Sequence, residues 1–194
     1  MSNALCDTQL VREYQNGNEK AFETLMSRHS DRVYSYIRYM VKDSQLAEDI
    51  FQDAFVKVVH TLKSGKYNEE GKFLPWVMRI SHNLIIDTFR KNAKMPTVEP
   101  RDEDHDIFAN LRVYDQNIQD LMINDQILKD VRMLIDYLPD EQKEVVMMRH
   151  YSDMSFKEIA EATNVSINTA LGRMRYALIN LRKMVEDKHM VLES

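Results

Sequence analysis

Between Glu19 and Met40 the apolar residues Phe22, Leu25, Met26, Val33, Tyr36, Ile37 and Met40 return every three or four positions, with His29 in the same stripe. That spacing predicts an amphipathic helix with one face in a core. Upstream, Asp7 is placed to cap a shorter helix, "TQLVREYQN", carrying Leu10, Val11 and Tyr14 on one face, with Gly17 as its stop. Downstream, Asp43-Ser44 restart a helix whose apolar positions are Leu46, Ile50, Ala54, Val58 and Leu62. "KSGKYNEEGK" interrupts the pattern with two glycines and polar residues and reads as a loop. Pro75 suits the first turn of the next helix, "PWVMRISHNLIIDTFRKN", whose core face is expected to be Trp76, Val77, Ile80, Leu84 and Phe89. Periodicity lapses at Met95 and resumes at "IQDLMINDQILKDVRMLIDYL". Leu138-Pro139-Asp140 is a break and restart before "EQKEVVMMRHY". No strand pattern and no internal repeat emerges. The expected fold is all-α: two small helical domains, residues 1–94 and 119–194, joined by a flexible linker over 95–118.

Composition agrees with helices: the 194 residues include only 4 Gly and 4 Pro. No apolar run is long enough to span a membrane, and "MSNALCDTQLVREY" lacks the basic-then-apolar order of a secretion signal, so a cytoplasmic protein is expected. The single Cys6 excludes an intrachain disulfide framework and a cysteine-built zinc site.

Charge changes the picture more. The net charge is −5, which on average repels nucleic acid. Yet Met95–Asp125 holds eight acids (Glu99, Asp102, Glu103, Asp104, Asp106, Asp115, Asp120, Asp125) against Arg101 and Arg112, a local charge of 2 − 8 = −6. The remainder is therefore close to +1, and the acidity belongs to the linker.

The C-terminal stretch "SFKEIAEATNVSINTALGRMRYALINLRK", Ser155–Lys183, reads as a helix-turn-helix. Ser155 and Glu158 have capping-box spacing. Ile159 is expected in the core, and Ala160 is small where two helices cross. Asn164 sits where the bend needs a positive φ, which Asn tolerates better than most residues. Ser166 can cap the second helix, bringing Asn168 and Thr169 toward base edges, with Arg173 and Arg175 one turn later. Five bases against two acids give this stretch 5 − 2 = +3, in the right place for phosphate contacts. A helical hairpin with a merely solvated basic face fits the same pattern. Gly172 is awkward in mid-helix, since glycine there costs about 1 kcal/mol relative to alanine.

Two further elements carry chemistry. In "RISHNLIIDTFRKNAK", Arg79, Arg90, Lys91 and Lys94 oppose only Asp87, and Tyr67, Phe73 and Trp76 lie close by in the chain. Cations beside aromatic rings suit unpaired bases, which stack on rings while cations follow the backbone; the same rings also suit a helix core. In "QLAEDIFQDAFVKV", Glu48, Asp49, Gln52 and Asp53 share neighbouring turns, as a docking face for a basic helix, a solvated face or metal ligands. A bundle di-metal site needs Glu-x-x-His, and of the 6 histidines only His189, after Glu186, has that spacing. With no glycine-rich phosphate loop and no nucleophile elbow, neither an enzyme, a metal site nor a cofactor is expected.

In this order the three elements resemble bacterial RNA polymerase sigma factors of the extracytoplasmic-function (ECF) group of the sigma-70 family, over nearly the whole chain. "AEDIFQDAFVKV" resembles the segment that docks on a coiled coil of core RNA polymerase, "GKFLPWVMRISHNLIIDTFRKN" the segment that melts and reads the promoter −10 element, and "LPDEQKEVVMMRHYSDMSFKEIAEATNVSINTALGRMRYALINLR" the −35-reading domain. The resemblance implies polymerase docking through Glu48, Asp49 and Gln52, with Asp53 beside them. It implies −10 recognition through Trp76, Arg79, Asn83, Asp87 and Arg90, with Lys91 and the loop residues Asn68 and Lys72. It implies −35 reading around Ser166, Asn168, Thr169, Arg173, Arg175 and Tyr176. Asn164 stands where the family usually has Gly, Gly172 replaces a usual Ser, and Tyr176 a common Arg. The implied partners are core RNA polymerase, promoter DNA in duplex and single-stranded form, and an anti-sigma factor, a common partner in the family. Two other readings fit the residues: a stand-alone two-domain helix-turn-helix regulator, which never opens DNA, and an all-helical adaptor, which never binds it.

Overall fold

The computed structural model describes residues 5–68, 72–92 and 133–187, and every regular element among them is helical. The chain divides into two compact units, built mainly from its N-terminal and C-terminal halves. The expected linker, 95–118, and the segment up to residue 132 lie outside the described residues, as does His189.

The N-terminal unit is four helices: α1 (Asp7–Gln15), α2 (Glu19–Val41), α3 (Ser44–Lys63) and α4 (Phe73–Asn92). Each has a buried stripe because its apolar residues recur at helical spacing. Leu25, Val33 and Ile37 of α2, Ile50, Ala54 and Val58 of α3, and Val77, Met78 and Ile85 of α4 are all buried where these three helices pack on one another. Gly17 leaves α1 at φ +97°, a conformation that suits glycine, and so ends the helix where the spacing predicts. Asp43 caps α3 by accepting from the Leu46 N–H at 2.9 Å.

The start of α1 differs from expectation. Cys6, not Asp7, occupies the N-cap, and the Cys6 N–H donates to Gln9 Oε1 at 3.1 Å. Asp7 instead reaches α2: its carboxylate accepts from Arg28 Nη1 at 3.0 Å and meets His29 Nε2 at 2.7 Å. A part-buried carboxylate gains more from two cationic or polar donors than from one helix N–H. His29 Nδ1 is buried without a partner among the described residues, and the His29 ring lies 5.5 Å from that of Phe73. Burial, the dominant cause, holds the His29 pKa below its ordinary value despite the opposing pull of Asp7; Arg28 and Arg32 add to the lowering. Folded chains therefore keep this imidazole neutral where unfolded chains begin to protonate it. The contribution to stability is complete above about pH 6.5, the unfolded value, and is lost as pH falls from there toward the depressed folded value. Urea denaturation followed by Trp76, the chain's one tryptophan, is expected to show a falling midpoint between pH 7.5 and 5.5. His29→Gln is expected to flatten that slope; an equal slope in the variant would remove His29 as its source.

The C-terminal unit contains α5 (Asp140–Val146), which runs into a π-helical turn (Met147–Tyr151), then α6 (Phe156–Thr163) and α7 (Ile167–Asp187). The break at Leu138-Pro139 occurs as read, with Asp140 opening α5. Met147, Met148, Met154 and Ile159 are almost completely buried around it. Asn180 of α7 donates to Gln142 Oε1 of α5 at 2.8 Å. Among the described residues no helix is long and apolar enough to cross a membrane.

Candidate polymerase and promoter interfaces

The helix-turn-helix is assembled by its own side chains. The Ser155 N–H donates to Glu158 Oε2 at 2.8 Å, and the Glu158 N–H to Ser155 Oγ at 3.3 Å, the reciprocal capping expected for α6. Ile159 is fully buried and Ala160 nearly so, as the crossing of two helices requires. Asn164 takes φ +55° at the bend. Ser166 Oγ accepts from the Thr169 N–H at 3.0 Å and pairs with Thr169 Oγ1 at 2.8 Å, starting α7. Ala170 and Ala177 turn inward. Ser166, Asn168, Thr169, Arg175 and Tyr176 are exposed, and Arg173 is half-buried on the flank of the same helix.

Along α4 the candidate residues form one outward line. Trp76 is half-exposed, and Arg79, Asn83, Asp87 and Arg90 are exposed, at steps of three or four. Lys91 is exposed as well; Asn68 is exposed and Lys72 half-buried at the loop before α4. Tyr67 packs on Trp76 with ring centroids 4.4 Å apart, so the aromatic pair stands at one end of the cationic line. Arg90 Nη1 lies 3.8 Å from Asp87 Oδ1, an exposed pair worth little to stability.

The core face of α4 matches the expected one at Val77 alone. Phe73, Leu74, Val77, Met78 and Ile85 are buried together with Ser81 and His82, whereas Trp76, Ile80 and Leu84 are half-buried and Phe89 is exposed. Ser81 is compatible with a core because its Oγ donates to the Val77 carbonyl at 3.0 Å. His82 Nδ1 lies 3.5 Å from the buried Tyr36 hydroxyl.

On α3, Glu48, Asp49, Gln52 and Asp53 are all exposed. Gln52 Nε2 donates to Glu48 Oε1 at 3.1 Å. Among the described residues, Glu48, Asp49 and Asp53 form no ion pair, so their charge is available to an outside group. Hydropathy counting misses a residue here: Val56 is 66% exposed, one turn beyond Gln52 and Asp53, at the end of the charged face. With Lys57, His60, Thr61, Trp76 and Ile80 it lines a cleft of about 380 Å³ between α3 and α4. An exposed valine among polar and charged side chains, with Asp53 on one side and Lys57 and His60 on the other, has the composition of an interface centre with a polar rim. The signal in the sequence was its mismatch with the buried stripe of α3. No cluster among the described residues has the ligands to hold a metal ion.

Residues 25–95 match sigma-70 region 2 and residues 128–176 match sigma-70 region 4. The chain belongs to the sigma-70 family, in its extracytoplasmic-function group. It is 27% identical over 183 residues to the ECF sigma factor SigW of Bacillus subtilis, covering 91% of this chain and 95% of that one. It is 26% identical over 192 residues to the ECF sigma-E factor of Haemophilus influenzae, covering 97% of each. In fold it resembles the sigma factor RpoE of Bartonella quintana, solved with the anti-sigma factor NepR, at a TM-score of 0.66 and 16% identity over 86% of this chain and 98% of that one. As a sigma factor it is a non-enzymatic subunit of RNA polymerase that directs promoter-specific transcription initiation. Region 2 accounts for the N-terminal unit, which a stand-alone regulator or an adaptor would leave without a role.

Proposed function

We propose that the chain divides this work among three exposed faces, with residues 1–94 and 119–194 acting as separate domains on an acidic linker, 95–118. The α3 face of Glu48, Asp49, Gln52 and Asp53, continued one turn on by Val56, docks on a basic surface of core polymerase. The α4 line of Trp76, Arg79, Asn83, Asp87, Arg90 and Lys91, with Asn68 and Lys72 at the loop, takes the opened −10 element. Rings stack on unpaired bases there while cations follow the strand. The N-terminal half of α7 reads the −35 duplex in the major groove through Asn168, Thr169, Arg173, Arg175 and Tyr176, with Ser166 at its entry.

One observation carries this division. The acidic and the cationic faces lie on separate helices of one unit, α3 and α4, so polymerase binding and DNA binding need not compete for the same residues. Delegating affinity to the polymerase complex also accounts for a net charge of −5 in a DNA-reading protein. The free subunit need not hold DNA tightly, and the linker acidity opposes its doing so. A cytoplasmic location and control by an anti-sigma factor that covers these faces complete the reading; the neighbour RpoE is seen with such a partner. Run-off transcription with purified core polymerase on a promoter library tests it. Promoter-specific initiation that depends on this chain is the expected result. Operator protection by the chain alone, with no initiation, would return the stand-alone regulator.

A further inference from the structure

Gly172 occupies a place that the fold itself does not require to be glycine. Its φ is not positive, it lies well inside α7 (Ile167–Asp187) rather than at a cap, and a Cβ built on it meets nothing within 4 Å among the described residues. Strain, capping and close packing within this chain are the usual reasons for glycine in a helix, and none applies. Close approach by a group from outside is the remaining reason that would select glycine here, over a glycine that is simply tolerated. The surroundings on α7 indicate the chemistry of that group. Positions three and four residues away are surface neighbours on a helix; for Gly172 they are Asn168, Thr169, Arg175 and Tyr176, all exposed. At Gly172 itself the helix presents only its Cα hydrogens, so the position is a gap without a side chain inside a face of hydrogen-bonding side chains. In the major groove each base pair offers donors and acceptors, and the one apolar group is the thymine 5-methyl. A hydrogen-bonding edge set directly against Gly172 would meet no side-chain donor or acceptor at that position, whereas a methyl group, which makes no hydrogen bonds, would give none up.

We infer that Gly172 is a specificity-determining notch in α7 that admits the 5-methyl group of a −35 thymine. The inference rests on the proposed role of α7 in reading the −35 element. The test is a bump-and-hole experiment with reconstituted holoenzyme on a promoter that the unmodified protein uses. Gly172→Ala fills the notch, and replacing each −35 thymine singly by deoxyuridine removes one methyl group at a time. With the unmodified protein, one uracil position is expected to lower promoter occupancy about fourfold, the weight of one buried methyl group. Gly172→Ala is expected to melt at a higher temperature, because alanine favours the helix, yet to lose occupancy on the thymine template by a similar or larger factor. Uracil at that same position is expected to restore the variant to the level of the unmodified protein on the uracil template. Equal occupancy by both proteins on every template would overturn the notch, as would a loss in Gly172→Ala that no uracil position relieves. Both results leave the −35 role intact, because the unmodified protein still selects its promoter. Failure of the unmodified holoenzyme to protect any −35 duplex would instead remove the reading on which the notch depends.

Discussion

Replacing Glu48 and Asp49 together by lysine is expected to abolish retention of the chain by core RNA polymerase while leaving its helix content and melting temperature unchanged. The fold is insensitive because both carboxylates are exposed and neither is ion-paired among the described residues. Locally the double variant gives up the 3.1 Å Gln52–Glu48 hydrogen bond on the surface, worth about 1 kcal/mol or less. The interface is sensitive for the opposite reason. Each substitution removes an attraction and installs a like charge against a basic surface. Truncating one partner of a buried, hydrogen-bonded charge pair costs about 2–5 kcal/mol, so reversing two charges exceeds what a nanomolar complex can lose and still be retained on a column. Co-purification on immobilised core polymerase, with circular dichroism of the same samples, measures both halves. Undiminished retention would sink the assignment of α3 as the docking face. Val56→Asp probes the same surface without touching the carboxylates, and is expected to weaken retention less than the double reversal.

The residues reveal some levels of this architecture and hide others. The helices of the N-terminal unit, the break at Leu138-Pro139, the Ser155–Glu158 capping box and the positive φ at Asn164 follow from local rules, because each depends on side chains a few positions apart. The role of Asp7 does not, since its partners Arg28 and His29 sit on the following helix and only tertiary packing brings them within reach. On α4 the difficulty was one of chemistry. A hydropathy count ranks Ile80, Leu84 and Phe89 above Ser81 and His82, but the bundle buries the latter pair. Ser81 returns its hydroxyl to the Val77 carbonyl and His82 meets Tyr36, so their polar groups enter the core with partners. Rotating the buried face in this way frees the line from Trp76 to Arg90. Val56 lies outside the expected α3 stripe of Leu46, Ile50, Ala54, Val58 and Leu62, and its exposure in the fold is what marks it out. A stretch of apolar spacing shows that a helix has an inner face; the partners of its polar residues determine which face that is.

The second large effect is expected from Arg79→Glu combined with Arg90→Glu: promoter opening fails although the holoenzyme still assembles. Both side chains are exposed on α4. Arg79 makes no ion pair among the described residues, and Arg90 makes only the weak surface pairing with Asp87 at 3.8 Å. Stability should therefore change by no more than a few tenths of a kcal/mol. Against DNA the balance differs, because each arginine that neutralises a phosphate or meets a base edge contributes about 1–3 kcal/mol, and a glutamate in its place repels the strand. Removing both interactions corresponds to a drop of roughly two orders of magnitude or more in open complex. Permanganate reactivity of thymines near the start site measures opening, and retention on core polymerase measures assembly; the first should fall and the second should not. A template with a pre-formed mismatch bubble over the −10 element separates two ways in which the arginines could act. If they help to offset the cost of unpairing, the bubble restores much of the missing initiation, since that cost of a few kcal/mol is then already met. If they only tether closed duplex, the bubble restores nothing. Partial rescue is expected, because on the proposed reading the Tyr67–Trp76 aromatic pair takes unpaired bases while Arg79 and Arg90 follow the strand. Unchanged permanganate reactivity in the double variant would remove α4 from strand opening.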